Sequence, residues 1–356
     1  MRVLVIDVAA SEGGALTILE SFYKYIKDYD KSNEYIFVLS DYYLLENDNI
    51  KIDVYSDVKK SYLNRLKFDY HYGKKLINKW HPDVIFSMQN TIFYSTDNIH
   101  QVVYMHQSIP FQNLKKFNIL NTKERKLAIV QYFIGYFIKK SVKRANKVIV
   151  QTNWVKEAVI KKAKIDEGKI RTIFPDFNYQ EITKTNKKYL NTSEFFYPAS
   201  NEIYKNHECI YNAVDILNKG NQYEFKVYLT VTGDSSERIN NCGYINHDKV
   251  FENMKTKVLI FPSYIETVGL PLLEAKLIGT IILASDTPFS HEILDDYENV
   301  YFFNPFNANE LAILMKKCIN KEIVLKPVSK LLCKNRNSWD KVISILNEEG
   351  KKYEKN

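Results

Sequence analysis

Short runs of consecutive apolar residues alternate along the chain with longer segments in which apolar residues recur every three or four positions. The longer segments, such as Leu63–Trp80 and Lys123–Arg144, have the periodicity of amphipathic helices. In the first half, buried strands are predicted at Val3–Ile6, Tyr35–Leu39, Val84–Phe86, Val102–Met105 and Val148–Val150. Strands and helices that alternate in this way predict a parallel sheet covered by helices.

The pattern starts again after a polar stretch. A second series of strands is predicted at Phe195–Tyr197, Phe225–Thr230, Val258–Phe261, Ile281–Leu283 and Val300–Phe303. A chain of 356 residues also exceeds the roughly 250–300 residues that one hydrophobic core usually spans. We therefore predict an α/β protein with two Rossmann-like domains, at residues 1–175 and 194–335, joined by a linker at 176–193.

The last helical segment, 336–356, can pack on either domain, including back on the N-terminal one. Two parallel sheets in series bring the carboxyl ends of their strands to the edges where ligands bind in such folds. The expected ligand site is a cleft between the two domains.

Composition adds limits to this picture. Hydrophobic residues make up 45% of the chain and charged residues 26%, which is typical of a globular protein. The four cysteines lie far apart without zinc-ligand spacing, at Cys209, Cys242, Cys318 and Cys333. The apolar run near the N-terminus ends at Asp7 and is too short for a signal peptide or a membrane span, so a cytoplasmic protein is expected.

Positive charge is concentrated in one segment, Lys115–Lys147. It contains ten Lys or Arg residues and one acid, Glu124, and so carries a net charge of +9. Such a segment can serve nucleic acid, an anionic membrane or an acidic substrate. Apolar residues lie among the charges, so we predict an amphipathic helix that docks on the anionic inner face of the plasma membrane. The alternative is an ordinary domain helix with a solvated basic end.

One segment contains residues suited to ligand binding and catalysis. Phe261–Ala275 reads Phe-Pro-Ser-Tyr-Ile-Glu-Thr-Val-Gly-Leu-Pro-Leu-Leu-Glu-Ala and directly follows a predicted strand. Gly269 and the proline after it predict a turn into a helix, whose unpaired N–H groups form an anion site suited to a diphosphate. Glu266 precedes the turn and Glu274 lies in about the first turn of the helix, and carboxylates of this kind accept sugar hydroxyls. The alternative is that Glu274 complements the helix dipole and Glu266 is solvated.

The strand, Pro-Ser, first Glu, Gly-Leu-Pro and Glu-Ala, in this order, resemble the C-terminal donor site of the GT-B retaining glycosyltransferases of carbohydrate-active family four. The resemblance implies that Glu266 contacts the donor sugar and that Glu274 binds the ribose hydroxyls of a nucleoside diphosphate sugar. It also implies main-chain contacts to the sugar and phosphates at Thr267, Val268, Gly269 and Leu270.

Upstream, Tyr197–His207 resembles the strand-to-helix loop in which that family commonly has Gly-Arg and then a Lys directed at the diphosphate. Lys205 matches the Lys, and the resemblance implies that it stabilises the leaving-group charge. Ala199 and Ser200 stand where Gly-Arg would be, so one phosphate-neutralising charge is absent or supplied elsewhere, with Ser200 kept as a predicted donor contact. The alternative for Lys205 is an ordinary solvated lysine.

Two features of the N-terminal half extend the resemblance. Gly13 and Gly14 follow the first strand and resemble the family's glycine loop, which faces the donor phosphates, although a glycine pair also makes a simple tight turn. His106 follows a predicted strand, where family members often have a His near the donor sugar. A neutral imidazole can donate a hydrogen bond to a sugar hydroxyl or polarise the reacting centre. The alternative for His106 is a structural role; with Glu266 and Lys205 it completes the predicted catalytic set.

The resemblance covers nearly the whole chain. It implies retaining transfer of a hexose-type sugar from a UDP- or GDP-type donor, without a bound metal or other cofactor. The expected acceptor is a glycan or a lipid-linked saccharide in bacterial surface polysaccharide assembly, such as O-antigen or capsule. The alternatives are other nucleotide-sugar chemistry on the same fold, such as an epimerase, and a non-catalytic scaffold. Nucleic-acid binding is not expected, because no such motif accompanies the basic segment.

Overall fold

The computed structural model describes residues 1–10, 13–96, 99–176, 189–219, 223–327 and 338–353. The chain divides into two compact units. The N-terminal unit comprises Met1–Asp176 and Arg336–Asn356, and the C-terminal unit comprises Phe177–Asn335. Each unit is built on one parallel sheet with helices, so the predicted α/β class is confirmed.

The described part of the N-terminal unit has a seven-stranded parallel sheet in the order β3-β2-β1-β4-β5-β6-β7. The strands are β1 (Arg2–Asp7), β2 (Glu34–Leu39), β3 (Ile50–Val54), β4 (Val84–Ser87), β5 (His100–Met105), β6 (Lys147–Val150) and β7 (Ile170–Thr172). The strand order reverses between β1 and β4, which makes their carboxyl ends a topological switch point. The sequence pattern missed β3 and β7, because these edge strands mix polar and apolar residues and are only partly buried.

The helices of this part of the chain are α1 (Gly13–Tyr29), α2 (Tyr62–Trp80), α3 (Arg125–Ala128), α4 (Gly135–Arg144) and α5 (Asn153–Ala163), with a π-helical segment at Ile129–Ile134 and 3₁₀ turns at Ser56–Lys60 and Glu167–Lys169. Gly13 and Gly14, which were predicted in a loop, are instead the first residues of α1. Burial of Leu19, Phe22 and Ile26 stabilises this helix, and its first turn extends back to the two glycines.

The described part of the C-terminal unit has a six-stranded parallel sheet in the order β10-β9-β8-β11-β12-β13. The strands are β8 (Asn191–Tyr197), β9 (Lys226–Leu229), β10 (Ile239–Asn241), β11 (Lys257–Phe261), β12 (Ile282–Ser285) and β13 (Val300–Phe303). The helices are α6 (His207–Asn218), α7 (His247–Thr256), α8 (Leu270–Ile278), α9 (Pro288–Leu294) and α10 (Ala308–Ile319), with a 3₁₀ turn at Ile203–Lys205. The switch point of this sheet lies between β8 and β11.

The predicted linker falls largely on residues 177–188, which lie outside the described residues. Its last residues are structured, because β8 already begins at Asn191. The sequence missed β10, whose residues Ile239–Asn241 include two asparagines and are only half-buried.

The last helix, α11 (Ser338–Tyr353), belongs to the N-terminal unit although it follows the C-terminal unit in sequence. Its residues Trp339, Val342 and Leu346 are buried in the core of the N-terminal sheet, and the Trp339 ring lies 5.0 Å from that of Phe22. A polar contact joins the other end of the helix to β5, with Glu349 Oε2 2.7 Å from Nδ1 of His100. Of the two positions that the sequence allows for this helix, the chain adopts the one on the N-terminal sheet.

Candidate active site

The loops after β8 and β11 meet at the switch point of the C-terminal sheet. The backbone N–H of Tyr264 donates to the carbonyl of Tyr204 over 3.1 Å, and Oγ of Ser263 lies 3.2 Å from the same carbonyl oxygen. The side-chain amide of Asn206 donates to the carbonyl of Pro262 over 3.1 Å. These bonds join two loops that are about sixty residues apart in sequence, at the edge where parallel α/β sheets bind ligands.

The same loops bring two predicted site residues together. Lys205 Nζ lies 2.6 Å from Oε1 of Glu266, and the hydroxyl of Ser263 donates to that same oxygen over 2.8 Å. The two charged side chains are only 19% and 15% exposed, so neither is the solvated surface group of the alternative interpretation. A charge-assisted pair with so little solvent holds both groups in fixed positions.

Lys205 owes its position to the short turn that precedes α6. The hydroxyl of Tyr197, at the end of β8, donates to the carbonyl of Lys205 over 2.9 Å. Asn206 follows with a φ of +63°, a left-handed conformation that asparagine tolerates better than most residues. Burial, aided by the nearby Lys205 charge, lowers the pKa of His207 to about 4, so the imidazole next to Lys205 is neutral.

The start of α8 has the predicted turn geometry. Gly269 precedes the helix with a φ of +78°, and its carbonyl accepts the backbone N–H of Leu272 over 2.9 Å. A β-carbon on Gly269 would lie 3.3 Å from Leu272 Cδ1 and 3.4 Å from Phe289 Cδ2. Val268 is buried, so only its main chain can face a ligand, while Thr267 is half-buried and Leu270 is exposed. A helix start of this kind can bind an anion through its first N–H groups.

Glu274 has a partner that the sequence did not predict. Its Oε1 lies 3.0 Å from Nε2 of His247, the first residue of α7. Burial raises the pKa of Glu274, and the contact with His247 opposes that rise. Glu274 is the fifth residue of α8 and lies beyond its first turn. Because the helix dipole acts mainly within the first turn, the helix-dipole alternative is disfavoured. His247 lies 27 residues before Glu274 outside any motif, so only the packing of α7 against α8 reveals it.

The loop after β8 has one cation. Ser200 is exposed, and Ala199 is fixed by the hydroxyl of Thr230, which accepts the Ala199 N–H over 2.9 Å. Residues 198–206 contain no Lys or Arg other than Lys205. The charge that an Arg supplies in the family that the sequence resembles has no substitute within this loop.

His106 lies directly after β5 and is half-buried. Burial lowers its pKa to about 4, so the imidazole is neutral at physiological pH. Its Nε2 lies 3.4 Å from the side-chain nitrogen of Asn90. At the switch point of the same sheet, a β-carbon added to Gly14 would meet nothing within 4 Å, so the first turn of α1 can be approached closely there.

A cluster of buried charged groups lies near the carboxyl ends of β1 and β4 of the N-terminal sheet, and the sequence analysis did not predict it. Asp69 on α2 accepts hydrogen bonds from Thr91 (2.8 Å) and Gln89 (3.0 Å), and its carboxylate is 3.4 Å from the guanidinium of Arg65. Asp7, at the end of β1, is also buried, and burial raises its pKa to about 7. The signal that could have found the cluster is Arg65 and Asp69 at i,i+4 spacing on one helix.

The basic segment presents aromatic and aliphatic side chains to solvent. Tyr132, Phe133 and Tyr136 are 51%, 48% and 62% exposed, and Leu120 is 82% exposed. The one acid, Glu124, is turned inward, where it accepts the N–H of Asn118 over 2.8 Å. We call this surface the basic–aromatic face and define it by these four exposed residues and the exposed cations Lys116, Lys123, Arg125, Lys126 and Lys143.

Not every cation of the segment is free to meet a partner. Lys140 Nζ donates to the hydroxyl of Tyr70 over 3.0 Å and lies 4.9 Å from the ring centroid of Tyr94, and Arg144 lies over the same ring.

The segment contains no membrane-crossing helix; across the described residues, none has the length and apolar character that spanning a bilayer requires. No cluster of three or more His, Cys, Asp or Glu side chains suited to a metal ion is found in that part of the chain either.

Comparisons with known proteins agree with the motif. Residues 178–341 match the family model of the glycosyl transferases group 1. The O-antigen chain mannosyltransferase RfbU of Salmonella typhimurium is 22% identical over 215 residues, which cover 58% of this chain and 57% of that protein. The chain thus matches a little over half of the length of this relative.

Solved structures extend the similarity to both units. HepE of Anabaena, in complex with UDP-glucose, superposes with a TM-score of 0.63 at 15% identity and covers 100% of this chain and 98% of its own. WaaG, a glycosyltransferase involved in lipopolysaccharide biosynthesis, superposes with a TM-score of 0.66 at 11% identity, over 97% of this chain and 99% of its own.

The fold is therefore GT-B, with one parallel-sheet unit in each half of the chain, as the resemblance predicted. Residues 178–341, most of which lie in the C-terminal unit, match the glycosyl transferases group 1 model, and this match indicates a transferase enzyme.

Proposed function

We propose that the protein transfers a hexose-type sugar, with retention of configuration, from a nucleoside diphosphate sugar to a glycan or lipid-linked acceptor. The observation that carries this proposal is the partly buried Lys205–Glu266 pair, which lies at the switch point of the C-terminal sheet, in the loops that precede α6 and α8. A cation, a carboxylate and a row of helix N–H groups are what a diphosphate linked to a sugar requires.

Each group has one role in this proposal. The N–H groups at Thr267, Val268, Gly269 and Leu270 and the ammonium of Lys205 hold the diphosphate, Glu266 accepts a hydroxyl of the sugar, and Glu274 accepts the ribose hydroxyls. Ser200 and the Gly13–Gly14 turn of α1 add contacts to the phosphates. His106, neutral because burial lowers its pKa, donates a hydrogen bond to the sugar.

In the transfer step, the bond between the anomeric carbon and the diphosphate oxygen breaks, and its electron pair leaves with the nucleoside diphosphate. The acceptor hydroxyl oxygen forms the new bond on the same face and releases its proton to the departing diphosphate. Lys205 and the helix N–H groups stabilise the negative charge that develops on the leaving oxygen, which is the electrostatic form of catalysis. No metal ion takes part.

The setting is the assembly of a bacterial surface polysaccharide such as O-antigen or capsule. RfbU acts on O-antigen chains as a mannosyltransferase, and HepE binds UDP-glucose, so both GDP- and UDP-linked hexoses are candidate donors. The N-terminal unit holds the acceptor. Its basic–aromatic face docks on the anionic cytoplasmic leaflet of the membrane, where a lipid-linked acceptor resides.

The test is a panel of UDP- and GDP-linked hexoses, each with the protein alone and with lipid-linked saccharides. Thermal shift measures binding, and product analysis by NMR measures transfer and anomeric configuration. We expect one donor to stabilise the protein and to give an α-linked product from an α-linked donor. Lys205→Met should abolish transfer, whereas Lys219→Met, at the exposed end of α6, should not.

The same panel separates the alternatives. An epimerase would change the donor sugar without an acceptor, and a scaffold would bind a nucleotide sugar without turnover. An inverted product would overturn the retaining mechanism while leaving the donor site in place.

A further inference from the structure

Asn90 is bound to the end of β5 through its side chain. Its Oδ1 accepts the backbone N–H of His106 over 2.9 Å and that of Gln107 over 3.1 Å. Because two donors occupy this oxygen, the orientation of the amide is fixed and its nitrogen points toward the imidazole, 3.4 Å from Nε2 of His106. Asn90 thus holds both the backbone and the ring of the histidine.

An amide nitrogen can only donate a hydrogen bond. The ring nitrogen that faces it must therefore accept, and an accepting Nε2 in a neutral imidazole requires the proton to be on Nδ1. The His106 ring is neutral at physiological pH, since burial lowers its pKa to about 4. Asn90 therefore selects between two forms of the ring that differ in which nitrogen can donate.

The loop that carries Asn90 is itself anchored to α2. Asp69 accepts hydrogen bonds from the residues on either side, Gln89 and Thr91, and Arg65 donates to the Thr91 hydroxyl over 3.1 Å. Asn90 itself has a φ of +67°, a left-handed conformation that few side chains other than asparagine and aspartate adopt. A buried ion pair costs desolvation energy unless hydrogen bonds satisfy its charged groups. Here the hydrogen bonds of Asp69 and Arg65 hold Gln89 and Thr91, the two neighbours of Asn90.

We propose that Asn90 is a positioning residue that holds the imidazole of His106 in the Nδ1-protonated tautomer, and that Asp69 and Arg65 keep Asn90 in place. The inference deepens the proposed function, on which it rests for the role of His106.

The test is the isosteric variant Asn90→Asp. Aspartate tolerates the left-handed backbone and can accept the same two backbone N–H groups, but its carboxylate cannot donate to the ring. Protein labelled with ¹⁵N-histidine, studied by long-range ¹H–¹⁵N NMR, reports which ring nitrogen carries the proton. The chain has seven histidines, and His106→Gln identifies the signal by its loss.

We expect His106 of the unmodified protein to show a protonated Nδ1 and a bare Nε2 at neutral pH. In Asn90→Asp the proton should move to Nε2, or both nitrogens should be protonated. A wild-type His106 with its proton on Nε2 would overturn the proposal, even if the variant fails to fold. A wild-type pattern that persists in a folded Asn90→Asp variant would also overturn it.

Asn146→Asp is the matched control. Its Oδ1 accepts the backbone N–H of Gln101, at the other end of the same strand β5, over 2.9 Å. It should leave the His106 signal unchanged.

A separate experiment measures the transfer activity of the Asn90→Asp variant. Asn90→Asp should lower kcat about tenfold to a hundredfold, the effect of one hydrogen bond lost at a reacting group, while the affinity for the nucleoside diphosphate stays within about threefold. If the tautomer changes and kcat does not, the role of His106 in the proposed function fails, while its positioning by Asn90 stands.

Discussion

His247 Nε2 lies 3.0 Å from Oε1 of Glu274, and this contact leaves one carboxylate oxygen of Glu274 for other partners. The imidazole is 60% exposed, whereas the carboxylate is only 13% exposed. A histidine at the rim of α7 thus orients a mostly buried acid on α8. An acid held in this way is preorganised to accept a pair of hydroxyls.

Replacing Glu274 by Ala is expected to weaken the binding of the nucleoside diphosphate about tenfold to a hundredfold, because hydrogen bonds to a charged group are worth about 1.5–3 kcal/mol each. Isothermal titration calorimetry with UDP and GDP measures the loss. The control is Glu252→Ala on the exposed side of α7, which should bind like the wild type. Unchanged affinity in a folded Glu274→Ala variant would refute the ribose assignment.

The two ends of α8 offer a matched pair of glycine substitutions. Gly269 and Gly279 both have a left-handed backbone, with φ of +78° and +82°. Either change to Ala should cost about 1–2 kcal/mol of stability, measured by thermal unfolding. Only Gly269→Ala should also weaken nucleotide binding, since its β-carbon crowds Leu272 and Phe289 at the proposed phosphate site. Equal affinities of the two variants would contradict a diphosphate at this helix end.

Transfer activity should survive an excess of EDTA, because Lys205 and the N–H groups of α8 are proposed to neutralise the leaving diphosphate without a metal. Product formation with and without chelator is the measurement. A loss of activity that magnesium or manganese restores would rule this mechanism out.

Asp7 should make the N-terminal unit less stable as the pH rises. Burial raises the pKa of Asp7 from its ordinary value of 3.8 to about 7, so the folded unit binds this proton more tightly than the unfolded chain. The contribution of the Asp7 proton to the free energy of unfolding is fully present below pH 4. It is lost between pH 4 and 7 and amounts to up to about 4 kcal/mol. Asp7→Asn removes the ionisation and keeps the side-chain oxygen that accepts the N–H of Ala10.

The stability gained in Asp7→Asn should therefore grow from pH 4 to pH 7 and then level off. All three tryptophans, Trp80, Trp154 and Trp339, lie in the N-terminal unit, so urea unfolding followed by tryptophan fluorescence reports on this unit alone. Asp28→Asn, at an exposed position of α1, is the control and should show no such growth. A gain that is the same at pH 5 and pH 8 would disprove the assignment.

Binding of the protein to vesicles should rise with their phosphatidylglycerol content and fall as salt screens the exposed charges. Changing Lys116, Lys123, Lys126 and Lys143 to Gln should weaken binding by up to about a thousandfold at low salt, because each cation contributes about 1 kcal/mol. These four cations are exposed, whereas Lys140 is half-buried against Tyr70, and Arg144, although exposed, lies over the ring of Tyr94.

The control for this prediction removes the same charge from the C-terminal unit, at the exposed Lys219, Lys249, Lys317 and Lys321. This control variant should still sediment with anionic vesicles. Equal sedimentation of the two quadruple variants, or no binding by the wild type, would leave the basic–aromatic face as a solvated helix surface.

The sequence predicted those elements that are determined by residues close together along the chain. Apolar runs marked the central strands, and the glycine and proline around Leu270 marked the start of α8, because backbone sterics at such residues act within a few positions. It placed Lys205 and Glu266 in the loops that the structure joins, since the carboxyl ends of parallel strands meet at one edge.

What the sequence did not reveal depends on contacts between distant segments. His247 meets Glu274 only through helix packing, and Asp69 meets Gln89 only because α2 lies against the loop after β4. The edge strands β3, β7 and β10 lack apolar runs, because they are not covered on both faces. Gly13 and Gly14 form a helix start, because the apolar face of α1 outweighs the low helix propensity of glycine.

The position of α11 has a consequence for biosynthesis. The ribosome synthesises residues 1–176 before α11, so the core of this unit lacks Trp339, Val342 and Leu346 until the C-terminal unit has been translated. Until then, the apolar sheet face that α11 covers stays exposed while the C-terminal unit is synthesised and folds. Ribosome-bound chains halted before residue 338 should therefore recruit holding chaperones, and those released after residue 353 should not.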